Sequence, residues 1–450
     1  MNPGFPGMRP GRCGGESPRM DKQERRRSMN ITMLCIGSTG DVRPYMLLGK
    51  ELKRRGHEIT VASFAPFEGM IREAGLKFFP VAGDVQELMA NLMKPGVVGV
   101  RYLTQFEKTI RDIAPVLLGD LLRSCEGADA MMCTYFGSLF YSIAEKYGIP
   151  CIQTHYCPMD PNDMTPISSA PGLNWGKQWN RASYRLGYLL IGALEKRYLT
   201  QWREKNGMEQ RTIKTRPDYH VKGHTVPVIY AVSPLVMPRP ANWDEHIHMS
   251  GFWYDEHPEP WTPPQDLVEF MEAGPKPIYI GFGSMVSGNM NKTMTTVLRA
   301  VRASGVRAVI GMGWGGGMQN HANSRVYISN YIPHDWLFPR VAAVVHHGGA
   351  GTTASGLRCG KPTLVIPFGG DQPFWGNRVH ALGCGPKPIP RDRLTVNRLV
   401  RGLIDLTSHA SYRVAAEELA ERMRLEGGVG RAADLVEQEI AAWKATPDKP

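Results

Sequence analysis

Apolar residues along this chain recur with two different periods, and the changes of period mark out its elements. Residues 31–36 form a short apolar run that ends in the turn Gly37-Ser38-Thr39-Gly40-Asp41. Beyond it Tyr45, Leu48, Gly49 and Leu52 recur at i, i+3, i+4 and i+7, one buried helical face, with Pro44 suited to the first turn. Gly56 closes that helix, and residues 58–63 resume strand character. Strand, helix and strand in that order make a βαβ unit, which implies parallel pairing. Further strands are expected at 130–135 and 150–155, with helical stretches between. A second series opens after a Pro- and Trp-rich stretch over 253–277. Residues 278–284 read as a strand ending in a glycine turn, Met294, Val297, Leu298 and Val301 mark a helix, and 306–310 resumes as strand. Two more apolar runs, 341–347 and 363–366, lead into glycine-rich turns. The pattern predicts an α/β chain of two doubly wound Rossmann-like halves. Ligands of such sheets sit beyond the strand C-termini, so the cleft between the halves is the expected site.

The expected layout is a disordered basic tail over 1–28, a first Rossmann-like domain over 29–235 and a linker with the lead-in to the second domain over 236–274. A second Rossmann-like domain follows over 275–430, then a C-terminal helix and tail over 431–450. A chain of 450 residues has length for two or three domains of about 150 residues. With 42% hydrophobic and 21% charged residues its composition is that of a globular protein. The eight cysteines contain no Cys-x-x-Cys pair, which argues against a zinc ribbon, a thioredoxin-type site or a disulfide scaffold, and for a reducing, cytoplasmic compartment. The net charge of +11 is diffuse. It suits weak attraction to an anionic ligand or membrane, and no nucleic-acid partner is expected. No stretch of about 18 apolar residues occurs, so no membrane span is expected. Over 175–206 aromatics mix with Arg and Lys. This segment reads either as an ordinary packed helix or as an amphipathic one lying on a membrane or over an apolar pocket.

The strongest chemical signal is HHGGAGTT, residues 346–353. Small residues allow a helix N-terminus to approach a ligand, aiming open N–H groups and the positive dipole end at an anion. Thr352 and Thr353 add hydroxyls, and an adjacent imidazole can donate to a phosphate oxygen. The loop fits a pyrophosphate and lacks the lysine of a P-loop. Gly281-Phe282-Gly283-Ser284 offers a second contact, or a plain turn.

HHGGAGTT followed by GKPTLVIPFGGDQPFWGN (360–377) resembles nucleotide-sugar glycosyltransferases of the GT-B fold. The DQPFWG wording is most similar to the sterol 3-beta-glucosyltransferase branch. GSTGDVRPY (37–45) resembles the GSRGDVQP signature of that branch and of its antibiotic-glycosylating bacterial relatives. The resemblance spans roughly residues 31–440 and implies an inverting transfer of a hexose, glucose above others, from a UDP-sugar to a hydroxyl of a hydrophobic acceptor, a sterol first. A terpenoid or polyketide alcohol is the alternative. It implies that His347, with Gly349, Gly351, Thr352, Thr353 and Ser284, cradles the pyrophosphate. Asp371 and Gln372 would hold sugar hydroxyls. Residues 331–336, with Tyr331, Ile332 and Trp336, would meet the uracil, either aromatic being able to stack. Ser38, Thr39 and Gly40 form the acceptor loop. Asp41 stands where the branch places its base, and its alternative role is to cap the helix. Thr39 replaces the branch's usual Arg, and His155 is a reserve base.

No metal and no bound cofactor are expected, the UDP-sugar being a co-substrate. No Asp-x-Asp occurs, and His246-Ile247-His248 reads as strand alternation. Glycine turns at Gly37, Gly281 and Gly311 admit an NAD-dependent Rossmann oxidoreductase as a remote alternative, without the Gly-x-Gly-x-x-Gly and downstream acid that it needs. An inactive nucleotide-sugar binder is the other.

Overall fold

The computed structural model describes residues 28–84, 114–134, 137–167, 176–210, 219–256, 258, 260–283, 290–312 and 321–447. The expected tail, apart from Ser28, and the candidate Ser284 lie outside the described residues.

β1 (Asn30–Leu34) is buried from Ile31 onward and lies between β2 (Glu58–Phe64) and β4 (Ala130–Cys133), parallel to both. Cover on both faces explains why it reads as a continuous apolar run and not as an alternation. α1 (Thr39–Arg54) returns the chain to β2 and buries Val42, Tyr45, Leu48, Gly49 and Leu52, the expected face. It starts earlier than its proline suggested: Pro44 lies in the second turn and has no N–H for the Gly40 carbonyl. Gly40 is exposed, so water can serve that carbonyl.

The first domain continues through α2 (Glu68–Glu73), β3 (Lys77–Val81), α3 (Ala114–Ser124), α4 (Gly137–Tyr147), β5 (Cys151–His155) and α5 (Lys177–Lys205). A small hairpin, β6 (His220–Val221) and β7 (His224–Thr225), precedes β8 (Val228–Tyr230) and β9 (Ile247–Met249). The sheet is parallel throughout, in the order β3-β2-β1-β4-β5-β8-β9. Its last strand falls inside the span read as linker. The alternation at His246-Ile247-His248 marks it in the sequence, and of its three residues only Ile247 is buried.

In the second domain α6 (Gln265–Glu272) leads to β10 (Ile278–Gly281), α7 (Met290–Ser304), β11 (Ala308–Gly311), β12 (His321–Ala322), β13 (Val326–Ser329) and the single turn α8 (His334–Leu337). β14 (Val344–His346), α9 (Ala350–Arg358), β15 (Thr363–Val365) and α10 (Gln372–Ala381) follow, then α11 (Val396–Ser408), α12 (Ala410–Met423) and α13 (Gly428–Ala445). Its sheet runs β12-β13-β11-β10-β14-β15, with β12 alone antiparallel.

Two features join the halves beside the cleft. Val228, Tyr230 and Phe252 of the first domain share one apolar cluster with Leu357, Trp375 and Leu419 of the second. α13 leaves the second domain and buries Ala433, Val436 and Ile440 in the first domain's core. Arg55 Nη1 bonds Asp434 at 2.7 Å and Glu437 at 3.0 Å there, and His224 stacks on Trp443.

Candidate active site

The turn from β1 into α1 is built around one carboxylate. Ser38 caps the helix, and Asp41 Oδ2 accepts from the Ser38 N–H at 2.7 Å and from the Ser38 hydroxyl at 3.0 Å. The carboxylate lies so close to Gly37 that any Cβ there would collide with Oδ2. Burial lifts the Asp41 pKa above the ordinary carboxylate value, with the Ser38 donors pulling it back. Oδ2 therefore serves the cap of α1. Tyr156 donates to the Asp41 carbonyl at 3.1 Å, tying the turn to the loop after β5. Thr39 Oγ1 is buried with no partner among the described residues.

His155, the reserve base, sits 1% exposed behind this turn. Its Nε2 is 2.9 Å from Gln153 Nε2, which can only donate, so the imidazole accepts there. Burial drives its pKa down to about 3. The ring is thus buried and hydrogen-bonded at the end of β5.

In the second domain β14 delivers His346 and His347 to the mouth of α9. The fully buried His346 accepts the Gly348 N–H through Nδ1 at 2.9 Å, which fixes the turn. Gly348 has φ +95°, and a Cβ there would lie 2.9 Å from the Gln372 carbonyl, so this loop packs directly on the one that carries Asp371. The His347 ring slots between two backbones: a Cβ on Gly283 would be 3.1 Å from its Cε1, and one on Gly349 would be 2.6 Å from its Nε2. Burial lowers the His347 pKa to about 4, with the Gly281 carbonyl pulling the other way, so the ring is neutral at physiological pH. Its Nδ1 is buried without a partner of good geometry among the described residues.

Gly349 is the N-cap of α9 and supplies no side-chain cap. The first N–H of the helix to find a carbonyl inside it is that of Thr353, which bonds Gly349. The N–H groups of Ala350, Gly351 and Thr352 therefore point outward, and the space over Gly351 is open. Thr353 corrects the sequence reading. Its side chain is fully buried and its hydroxyl donates to the Gly349 carbonyl at 2.9 Å, so it braces the helix from inside. Thr352, half-buried, keeps its place at the rim.

Asp371 stands at the N-cap position of α10 without a side-chain cap bond and accepts from the Trp375 indole N–H at 2.7 Å, one turn on. Burial raises its pKa to about 6, and the Asp41 charge adds to the rise, so the two carboxylates lie within electrostatic reach of each other. Gln372 is 5% exposed, and its Oε1 accepts from the Phe368 and Gly369 N–H groups at 2.7 and 3.3 Å. The amide oxygen thus shapes the loop that presents Asp371. The indole went unnoticed in the sequence, although the i, i+4 spacing of Asp371 and Trp375 carries the signal.

Residues 331–336 close the cleft near the head of α1, where Arg43 Nη2 lies 3.6 Å from Asp335. Tyr331 is 69% exposed and Ile332 is buried. Trp336 packs edge-on against Trp261 at 5.2 Å and beneath Arg340 at 4.6 Å. Of the two aromatics left open by the sequence, Tyr331 has the accessible ring. Among the described residues no group of three or more His, Cys, Asp or Glu could hold a metal ion, and no helix is long and apolar enough to cross a membrane.

Residues 31–164 match the glycosyltransferase family 28 N-terminal domain, and residues 317–428 match the erythromycin biosynthesis protein CIII-like C-terminal domain. The sterol 3-beta-glucosyltransferase UGT80A2 of Arabidopsis thaliana is 35% identical over 442 residues, covering 94% of this chain and 67% of the relative. A sterol 3-beta-glucosyltransferase of Candida albicans is 32% identical over 92% of this chain, which spans only 28% of that longer protein. Among solved structures, the glycosyltransferase of kitacinnamycin superposes with a TM-score of 0.66 at 21% identity, over 92% of this chain and all of that one. The two-domain architecture is GT-B.

Proposed function

Since this chain belongs to the sterol 3-beta-glucosyltransferase family, we propose that it transfers glucose from UDP-glucose to the 3-hydroxyl of a sterol, with inversion at C1. One observation carries the reading: the helices headed by the Asp41 and Asp371 turns, one from each domain, both pack against α9, whose N-terminus has no side-chain cap. Such a pair of carboxylates suits an alcohol attacking a sugar whose leaving group is a diphosphate.

The acceptor hydroxyl would lie against Asp41. As its oxygen bonds to C1, its proton passes to the carboxylate and the C1–O bond to the diphosphate breaks on the opposite face. A carboxylate of ordinary pKa, about 3.9, is a weak base for an alcohol, so the upward push from burial helps. The charge that develops on UDP meets the N–H groups of Ala350, Gly351 and Thr352, the positive end of α9 and the neutral His347 as a donor. These groups need no reorganisation during the step. Asp371 would grip hexose hydroxyls, Gln372 would hold its loop, and Tyr331 offers a face to the uracil. No step calls for a metal or a bound cofactor. A sterol is delivered from a bilayer, so peripheral membrane contact belongs to the proposal.

The test is incubation with labelled UDP-glucose and a panel of sterols, triterpenes and polyketide alcohols. Labelled steryl glucoside is the expected product. Transfer to a polyketide alcohol with none to any sterol would overturn the acceptor assignment, and no binding of UDP would overturn the donor site.

A further inference from the structure

Among the described residues, the first domain exposes four large hydrophobic side chains: Val116 at 58%, Trp179 at 68%, Leu186 at 59% and Leu189 at 44%. All four lie on α3 and α5, which pack against each other. The inner face of α5 is fixed by its hydrogen bonds. Asn180 Nδ2 donates to the Asp163 carbonyl at 2.9 Å, Ser183 Oγ accepts from the Ile167 N–H at 2.9 Å, and the Tyr184 hydroxyl accepts from Asn162 at 2.6 Å. Trp179, Ala182, Leu186 and Leu189 succeed one another at spacings of three and four on the opposite side, so they form one outward stripe. An outward stripe in water is ordinarily polar.

The charge on this helix is one-sided. Lys177, Arg181, Arg185 and Lys196 are exposed, and no acidic residue occurs in the sequence from 177 to 194. Arg181 is held by Asp163, which leaves Arg185 and Lys177 beside the stripe. An exposed apolar stripe with a tryptophan near one end and cations along its edge is the pattern of a helix lying in a lipid interface. The inner face of α5 covers the loop 156–167, whose Tyr156 bonds the Asp41 backbone. A surface docked on α5 is thus one layer from the acceptor end of the cleft.

We infer that the outer face of α5, extended by Val116 of α3, docks on an anionic lipid bilayer. Trp179, Leu186 and Leu189 enter the headgroup boundary, and Arg185 meets lipid phosphates and carboxylates. This deepens the apolar-acceptor reading, since it sets the cleft beside the phase that dissolves such an acceptor.

The experiment is co-sedimentation of the full chain with sterol-free phosphatidylcholine vesicles, with and without phosphatidylserine. The wild type is expected to bind the phosphatidylserine vesicles and to be released by salt. A Trp179→Ser, Leu186→Ser, Leu189→Ser triple variant should lose at least about tenfold in binding. Arg185→Glu should lose about tenfold on anionic vesicles alone. All four positions are exposed, so both variants should keep the wild-type melting temperature and its turnover of a detergent-dispersed acceptor. Failure of the wild type to bind, or unchanged binding by the triple variant, overturns the proposal. So does concentration-dependent self-association that the triple variant abolishes, which would make a second copy the occupant. Neither donor nor sterol is present, so a chain that binds vesicles yet glucosylates no sterol refutes the substrate reading alone.

Discussion

Asp371 at the head of α10 and Asp41 in the first turn of α1 belong to different domains and lie within electrostatic reach of each other, and burial with Asp41's charge holds the Asp371 pKa at about 6. Two carboxylates held this way are a cost to folding, of the kind that functional sites carry.

That cost gives a stability prediction with a definite sign. An unfolded aspartate titrates near 3.9, so between about 4 and 6 the folded chain keeps a proton that the unfolded chain has lost. The contribution of Asp371 to stability is therefore most favourable below about 4 and declines as pH rises through about 6. Asp371→Asn keeps an acceptor for the Trp375 indole and removes the charge. Its melting temperature should exceed that of the wild type at neutral pH, with the gap closing toward pH 4, while its transferase activity collapses. Calorimetric scans at several pH values check this, and a fall in melting temperature at neutral pH would make Asp371 a structural cap.

Asp41→Asn separates the base from the cap. The amide oxygen can still accept the Ser38 N–H and hydroxyl, so α1 should stay capped and UDP affinity should stay within about twofold. Loss of the base alone is expected to lower kcat by about 10²–10⁴. Titration calorimetry with UDP beside turnover of UDP-glucose makes the comparison, and retained turnover would reduce Asp41 to a helix cap.

Removing the indole donor should act through Asp371. Trp375→Phe leaves Oδ2 without its 2.7 Å bond and opens space in a fully buried site. A loss of about 2–4 kcal/mol in unfolding free energy is expected from the cavity and the orphaned acceptor. KM for the donor should rise several-fold with a smaller change in kcat, measured where the variant is still folded. An unchanged donor KM would detach Asp371 from the sugar.

Much of this was legible in the sequence because strand C-termini, glycine turns and helix starts fall at fixed places in a doubly wound sheet. Asp41, His347, Gly349 and Asp371 all lie at such junctions, and the structure brings their loops to one cleft. What the letters could not give is direction. Thr352 and Thr353 are adjacent and chemically alike, yet helical geometry turns one to the rim and the other onto the Gly349 carbonyl. His155 and His346 both end strands and are both buried, held by Gln153 in the one case and the Gly348 N–H in the other, while His347, one residue on, reaches the turn. Trp336 and Tyr331 are told apart by packing: Trp336 lies against the distant Trp261 and its local neighbour Arg340, whereas Tyr331 faces solvent. The alternation at 246–248 marks β9 as a strand, but its place in the first domain's sheet, beside β8, is set by pairing that no local pattern carries.

Gly349 offers a local test of the His347 slot. Its φ of −61° suits any residue, so alanine carries no backbone penalty, but its Cβ would lie 2.6 Å from His347 Nε2. Gly349→Ala should displace the ring and weaken UDP binding by about tenfold or more, with a melting temperature close to that of the wild type. Calorimetric UDP titration reads the affinity directly. Unaltered affinity would mean that the ring does not meet the diphosphate.

The two threonines give the sharpest test of which groups face the donor. Valine matches threonine in shape and lacks only the hydroxyl. At position 353 the Gly349 carbonyl keeps the Thr353 backbone N–H when the hydroxyl goes, so UDP affinity should be unchanged and stability should fall by about 1 kcal/mol. At position 352, half-buried at the rim, the same substitution should cost several-fold in UDP affinity and little stability. Reversal of that pattern, with Thr353→Val weakening UDP and Thr352→Val silent, would require α9 to rotate on binding its ligand. Measuring both variants by UDP titration and by denaturant unfolding decides between a preformed cradle and one that the donor must assemble.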